Sequence, residues 1–260
     1  MKQTIAMIQL DINYGEPQSN YIRAAKYIEE AAGDGADTIL LPELWTTGYD
    51  LTRLDDIADE YAKESIAFLK KQAKMHHVNL VGGSVAENCD DGVRNTLLVV
   101  NSNGELVHKY SKLHLFQLMD EHLYLEDGKD EAVFELSGVR SSGFICYDIR
   151  FPEWMRKSAL KGAKFMYVVA EWPKARINHW RILLQARAIE NQCYIIACNR
   201  SGKDPKNEFG GMSLIIDPWG EIVAEGSEQE EIVVGEVNPS LVDDVRERIP
   251  VFRDRREDRY

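Results

Sequence analysis

The chain has 260 residues, 44% of them hydrophobic, with five Trp, eleven Tyr and eight Phe, which is ample for a large buried core and argues against disorder. Its formal net charge of −12 disfavours nucleic acid and anionic membrane surfaces as partners, and leaves open a small substrate held in a locally basic pocket. No apolar run approaches the roughly 18 residues of a membrane span, and the N-terminus lacks the apolar stretch and small-residue cleavage site of a signal peptide.

Thr4 to Leu10 reads as a buried strand, broken by Gly15-Glu16-Pro17. Ser19 and Asn20 are placed to cap a helix running to about Ala32, with Ile22, Ala25, Ile28 and Ala32 near one face. Ala36 to Leu41 is the next strand, stopped by Pro42; a helix follows from Ser65 to His76, then a strand from Asn79 to Val85. Arg94 to Asn101 and Glu105 to Tyr110 flank Ser102-Asn103-Gly104 as a hairpin. Phe134 to Leu136, Gly143 to Ile145 and Phe165 to Ala170 read as strands, with a helical stretch from Glu153 to Ala163. A helix from about Asn178 to Asn191 precedes the apolar strand Tyr194 to Cys198. A second hairpin turns at Asp217-Pro218-Trp219-Gly220, between strands Ser213 to Ile216 and Glu221 to Ala224, and Ile232 to Val237 is the last strand. So many strands exceed one small open sheet, and two packed sheets with helices outside fit the count. No Pro/Gly/Ser-rich linker interrupts residues 1–260, which predicts a single domain. The charged tail 246–260, built around Ile249-Pro250-Val251-Phe252, is expected to pack on the body or on a second subunit.

Cys89, Cys146, Cys193 and Cys198 form no CxxC pair and no zinc-ligand spacing, which predicts reduced thiols in a cytoplasm and no metal site. Cys193 and Cys198 fall in apolar surroundings and read as inert core. Cys146 differs. It ends the apolar run Ser142 to Ile145 and opens the polar turn Tyr147 to Glu153, where a strand gives way to a helix. A thiol there faces backbone N–H groups and the positive end of a helix, as a nucleophile needs, although packing is the commoner fate of a lone cysteine.

A thiol nucleophile needs a base and a positive charge where an oxyanion forms. Glu43 follows an apolar strand in Leu40-Leu41-Pro42-Glu43-Leu44-Trp45, a poorly solvated setting suited to a general base. Lys112 also follows a strand, amid Leu113, Leu115 and Phe116, where its ammonium could hold a thiolate or oxyanion. Read singly, each has a plainer alternative: a capping or surface glutamate, a snorkelling lysine. Their shared placement at the carboxyl ends of strands, where open sheets bind ligands, argues for a common site.

Leu-Pro-Glu at 41–43, Lys-Leu-His-Leu-Phe at 112–116 and Cys-Tyr-Asp-Ile-Arg-Phe-Pro-Glu at 146–153 resemble the signature blocks of the nitrilase (carbon–nitrogen hydrolase) superfamily. The resemblance continues in order through His179-Trp180, Ala186 to Asn191, Gly210 to Ser213 and Asp217 to Gly220, and so covers almost the whole chain. It implies a four-layer α-β-β-α sandwich of two mixed sheets, a homodimer, and a Glu43–Lys112–Cys146 triad that works without metal or organic cofactor. It also implies that Glu121, after the lysine block, helps to position substrate.

True nitrilases typically carry Cys-Trp-Glu at the nucleophile, whereas Cys146-Tyr147-Asp148 looks like the omega-amidase branch. Glu171-Trp172-Pro173-Lys174-Ala175-Arg176 resembles the bacterial omega-amidase-like group, with Glu171 standing where many relatives carry Asn or Gln. The implied reaction is hydrolysis of the terminal amide of a short 2-oxo acid such as 2-oxoglutaramate, through a cysteinyl thioester. The oxyanion would rest on Lys112 and the Tyr147 backbone N–H. Arg176 is the candidate cation for the substrate carboxylate, and Tyr49 and Trp172 are candidate pocket walls. An N-carbamoyl amino acid hydrolase, a general short-chain amidase, and a catalytically silent binding protein on the same fold are the alternatives. Arg150 and Glu153 read as an ion pair stiffening the nucleophile turn. His114, His122 and His179 read as hydrogen-bonding scaffold, and the acidic run 228–231 as a solvated turn.

Overall fold

The computed structural model describes residues 2–259. In chain order the first half comprises β1 (Gln3–Gln9), α1 (Pro17–Gly33), β2 (Thr38–Leu40), α2 (Leu54–Ile57), β3 (Asp59–Glu60), α3 (Lys63–His76), β4 (Asn79–Cys89), β5 (Gly92–Val100) and β6 (Leu106–Ser111). The second half comprises α4 (Glu121–Tyr124), β7 (Val133–Leu136), β8 (Val139–Ile145), α5 (Pro152–Leu160), β9 (Phe165–Ala170), α6 (Ile177–Asn191), β10 (Tyr194–Asn199), β11 (Leu214–Ile216), β12 (Ile222–Glu225), β13 (Glu231–Val237) and α7 (Pro239–Arg248).

Two mixed sheets result. One runs β13-β1-β2-β4-β5-β6, with β3 added beside β4, and the other runs β12-β11-β10-β9-β8-β7. Strands buried on both faces, such as Phe165–Ala170 and Tyr194–Asn199, pair in parallel at the centre of the second sheet, as their unbroken apolar runs require. Met7, Leu40, Val81, Leu97 and Val99 pack with Phe134, Tyr167 and Ile196 between the sheets. Tyr21, Ala24, Ile28 and Ala31 of α1 and Leu69 and Ala73 of α3 cover the first sheet. Met155 and Ala159 of α5 and Trp180, Leu184 and Ala188 of α6 cover the second. The architecture is therefore a four-layer α-β-β-α sandwich.

Both hairpin turns form. Asn101 Oδ1 accepts from the backbone N–H groups of Asn103 and Glu105, and Asp217 Oδ1 from those of Trp219 and Glu221. Helix α1 departs from expectation. It opens at Pro17, and its buried face is Tyr21, Ala24, Ile28 and Ala31, while Ile22 is 73% exposed. Proline suits a first turn because its missing N–H has no intrahelical partner there. Ser19 and Asn20, one turn inside, instead fix the preceding loop: Asn20 Oδ1 accepts from Asn13 N, its amide donates to Asn13 O and Thr46 O, and Ser19 Oγ accepts from the Asn13 amide. The run 228–231 is not simply solvated either. Glu228 pairs with Lys174 at 2.9 Å, and Glu230 pairs with Arg23 and accepts from Asp11 N. Gln192 donates to Ile249 O at 2.7 Å, and Phe252 lies beneath the guanidinium groups of Arg156 and Arg246. Among the described residues no helix is long and apolar enough to cross a membrane.

Candidate active site

The carboxyl ends of β2, β6, β8 and β9 meet at one end of the sandwich, and the first two come from one sheet and the last two from the other. Glu43, Lys112, Cys146 and Glu171 are the first residues or nearly the first beyond those strands, so facing the sheets together brings four distant segments into one place. Pro42-Glu43-Leu44 is a tight turn seated on β4. Ser84 Oγ accepts from Leu44 N at 2.9 Å, Ser84 O accepts from Trp45 N, and Pro42 O accepts from Ser84 N. β4 comes close here because Gly83 adopts a φ of 63° and a Cβ on it would lie 2.2 Å from Pro42 O.

Glu43 is fully buried and satisfied on both oxygens. Oε1 accepts from Lys112 Nζ at 2.8 Å, Asn95 Nδ2 at 2.8 Å and the Tyr49 hydroxyl at 3.0 Å, while Oε2 accepts from the Glu171 backbone N–H at 2.8 Å. Lys112 Nζ also reaches Glu121 Oε1 at 2.6 Å. Glu121 is itself buried, with Oε2 accepting from Phe116 N at 2.6 Å and Oε1 from Tyr49. One ammonium thus serves two carboxylates, and one phenol proton is directed at both. Burial raises the Glu121 carboxyl above its ordinary range, against the pull of Lys112 and with a further push from Glu43. Burial and the same two carboxylates push the Tyr49 phenol well up. A cluster with this arithmetic holds a proton on Glu121 more readily than an ordinary glutamate would.

Cys146 takes a left-handed φ of 44° and is 5% exposed. Such a conformation costs a non-glycine residue on the order of 1–2 kcal/mol and turns the side chain sharply out of the strand. The residues after it form a 3₁₀ turn, Cys146–Arg150, and α5 opens only at Pro152, so the helix terminus expected at the sulfur lies further along the chain. Burial, followed by the Glu43 charge, pushes the Cys146 thiol well above the ordinary thiol range, with Lys112 pulling the other way. The resting sulfur is therefore protonated, with the buried Glu43 carboxylate and the Lys112 ammonium both acting on it.

Asp148 locks the lysine and cysteine segments together. Its carboxylate accepts from Ile145 N at 3.0 Å and the Tyr110 hydroxyl at 2.8 Å on one oxygen, and contacts His114 N and Nδ1 on the other. The His114 ring stacks on Phe151 at 3.6 Å.

A cavity of about 10 Å³ adjoins Cys146, walled by Phe116, Met119, Tyr147, Arg150, Trp172, Pro173 and Arg176. Trp172, Tyr147 and Arg176 thus lie beside the sulfur. Tyr49 does not wall this cavity: its hydroxyl enters the carboxylate cluster, and its ring borders a separate cavity of about 220 Å³. Glu121 likewise lies behind Lys112 and outside the cavity lining. Arg150 makes no pair with Glu153. Its guanidinium lies 4.8 Å from the Trp172 ring and 3.3 Å from His179 Nδ1, because the turn Cys146–Arg150 directs it inward and leaves Glu153 exposed. Arg176 lies 5.5 Å from the Phe116 ring, and neither arginine has a carboxylate within ion-pair distance among the described residues. Sequence reasoning missed Asn95 and Arg200. A polar residue inside the apolar run of β5 was the one signal for Asn95, and nothing local marked Arg200. Cys193 and Cys198 are fully buried, and burial pushes the Cys193 thiol up to about 12.

The family model described as carbon-nitrogen hydrolase matches residues 4–247. The chain belongs to the carbon-nitrogen hydrolase family. It is 53% identical to a 2-oxoglutaramate amidase of Bacillus subtilis, over all of both chains. It is 39% identical to the omega-amidase YafV of Yersinia enterocolitica, over 84% of each. Among solved structures, a carbon-nitrogen hydrolase superfamily protein of Xanthomonas campestris superposes with a TM-score of 0.92 at 31% identity, covering 98% of this chain and 97% of that one. This hydrolase therefore shares its fold with the Xanthomonas protein and its full length with the Bacillus relative.

Proposed function

We propose that this hydrolase cleaves the terminal amide of a short 2-oxo acid amide, of the 2-oxoglutaramate kind, to the carboxylate and ammonia through a cysteinyl thioester. The observation that carries the reading is the fully buried Glu43–Lys112 pair acting on the Cys146 thiol, beside a cavity lined by two guanidinium groups without carboxylate partners among the described residues. End-to-end similarity to a 2-oxoglutaramate amidase supports the same substrate class.

Glu43 takes the thiol proton as the sulfur attacks the amide carbon, and the carbonyl electrons move to oxygen. Lys112 and the Tyr147 backbone N–H stabilise that oxyanion. On collapse the C–N bond breaks, Glu43 returns the proton to nitrogen, and ammonia leaves. Glu43 then deprotonates water, hydroxide adds to the thioester, and the carboxylic acid departs as the sulfur is reprotonated. Glu121 and Tyr49 act through Lys112 and Glu43. Trp172 and the Tyr147 ring wall the acyl chain, and Arg176 holds its carboxylate in a guanidinium fork. Ammonia release should be measured from 2-oxoglutaramate, glutamine, N-carbamoyl-β-alanine and a simple nitrile. Preferential turnover of the first is expected, and turnover of the carbamoyl compound alone would reject the assignment.

We further propose that residues 1–260 act as one domain, as a homodimer, in a cytoplasm. Ile182 and Ile189, two turns apart on α6, are 63% and 54% exposed, which suits a second copy of the chain. Four free cysteines suit a reducing compartment.

A further inference from the structure

Beneath Glu43 lies a second pair of buried charges that the steps above leave unused. Glu171 and Arg200 are both fully buried and meet through Arg200 Nη1 and Glu171 Oε2 at 2.8 Å. Arg200 is itself fixed on several sides. It donates to Ile12 O at 3.0 Å and Ser201 O at 3.1 Å, approaches Asp11 Oδ1 at 3.5 Å, and lies 4.2 Å from the Phe209 ring. The backbone at 171 carries the one N–H that holds Glu43 Oε2. The next peptide is held by Asn199, whose side-chain oxygen accepts from Trp172 N at 2.6 Å. The other Glu171 oxygen, Oε1, is buried without a hydrogen-bond partner among the described residues. An ion pair with an unsatisfied oxygen is a poor stabiliser of a fold, since desolvation offsets most of its attraction. What it supplies is a stiff link between a peptide and an anchored guanidinium.

We propose that Glu171 is a positioning residue for Glu43, held in that role by Arg200. The inference rests on the assignment of Glu43 as the base for Cys146. Arg200 is tied to the loops after β1 and β10, so the pair fixes the 170–172 backbone against both sheets. Glu43 Oε2 is thereby held on the 171 backbone while Oε1 stays on Lys112, which fixes the orientation of the carboxylate. The side chain of Glu171 touches no part of the cavity beside Cys146, so substrate binding does not depend on it directly.

The test compares Glu171→Gln, Glu171→Asp and Glu43→Gln with the unaltered enzyme, by steady-state ammonia release and by the rate of Cys146 alkylation with iodoacetamide, taking Cys146→Ala as the background. Alkylation reads proton removal from the thiol whichever amide is the natural substrate, so a wrong substrate class leaves this test intact. Glu171→Gln should lower kcat by about 10- to 100-fold with KM changed less than about threefold, and should slow alkylation to a similar degree. Glu171→Asp keeps the charge but is one methylene shorter, and should slow both as well. Alkylation and kcat within about twofold of the unaltered enzyme in either folded variant would overturn the proposal. Normal alkylation in Glu43→Gln would remove the base assignment and the proposal with it.

Discussion

Replacing Lys112 by Met removes the single cation between Glu43 and Glu121. Its Nζ lies 2.8 Å from one carboxylate and 2.6 Å from the other, and all three side chains are fully buried. At an effective dielectric near 20, each contact is worth roughly 6 kcal/mol of attraction, set against a desolvation penalty of several kcal/mol per ion. Breaking such a buried pair by deleting one partner costs about 3–5 kcal/mol. The variant then has two facing carboxyls without a counter-charge, and one must keep a proton. Glu121, already raised by burial, is the one that keeps it. A carboxyl whose folded-state value lies above its unfolded value contributes stability at low pH and loses it as pH rises through the folded value. The stability deficit of Lys112→Met should therefore be smallest near pH 5 and grow toward pH 9. Urea unfolding followed by tryptophan fluorescence at pH 5, 7 and 9 measures it. Adding Glu121→Gln should restore much of the stability and none of the ammonia release. A deficit below about 1 kcal/mol at all three pH values, within the range of an exposed ion pair, would refute the account of the cluster.

Four other outcomes are expected. Arg176→Ala should lose the preference for anionic over neutral amides, and retention of that preference in a substrate panel would rule out its role. Asp148→Asn should cost about 2–4 kcal/mol in urea unfolding, because an amide cannot accept from all the donors that converge there, and should lower kcat by loosening Lys112 against Cys146. Burial pushes the Glu171 carboxyl up to about 8 against the pull of Arg200, so its pair with Arg200 is fully charged only above that pH, and the deficit of Glu171→Gln in kcat and in Cys146 alkylation should grow from about pH 6 to about pH 9. Ile182→Glu with Ile189→Glu should shift the protein to monomer in sedimentation velocity, while a dimer that persists would exclude the α6 face.

Strands and hairpins were legible because their signals are local. Unbroken apolar runs such as Phe165 to Ala170 admit little else, and Asn103-Gly104 and Pro218 to Gly220 carry their own turn chemistry. Glu43, Lys112 and Cys146 could be picked out because each lies just beyond such a run. What sequence could not show was partner identity. Arg150 and Glu153, three residues apart, suggest a pair, yet the guanidinium lies against Trp172 and His179 while Glu153 is exposed. Tyr49 looks like a pocket wall until its hydroxyl is seen among carboxylates. Helix α7 was overlooked because its mostly polar composition hides the start made by Asn238 and Pro239, where Asn238 Oδ1 accepts from Ser240 N at 3.2 Å. The buried stripe of α1 was misplaced because Ala24 and Ala31 carry too little hydrophobicity to outweigh Ile22.

The space of about 10 Å³ next to Cys146 has room for about one water molecule, whereas ligand pockets usually exceed about 300 Å³. No five-carbon acid fits while Phe116, Met119 and Arg176 stand where they do, so admission requires their withdrawal. The segments that carry Lys112 and Cys146 are tied together by Asp148 through Tyr110, His114 and Ile145. The parts left to part are the two short turns Gln117–Met119 and Lys174–Arg176. Turnover should accordingly sense solvent viscosity, with selectivity exercised at the doorway as well as at the thiol.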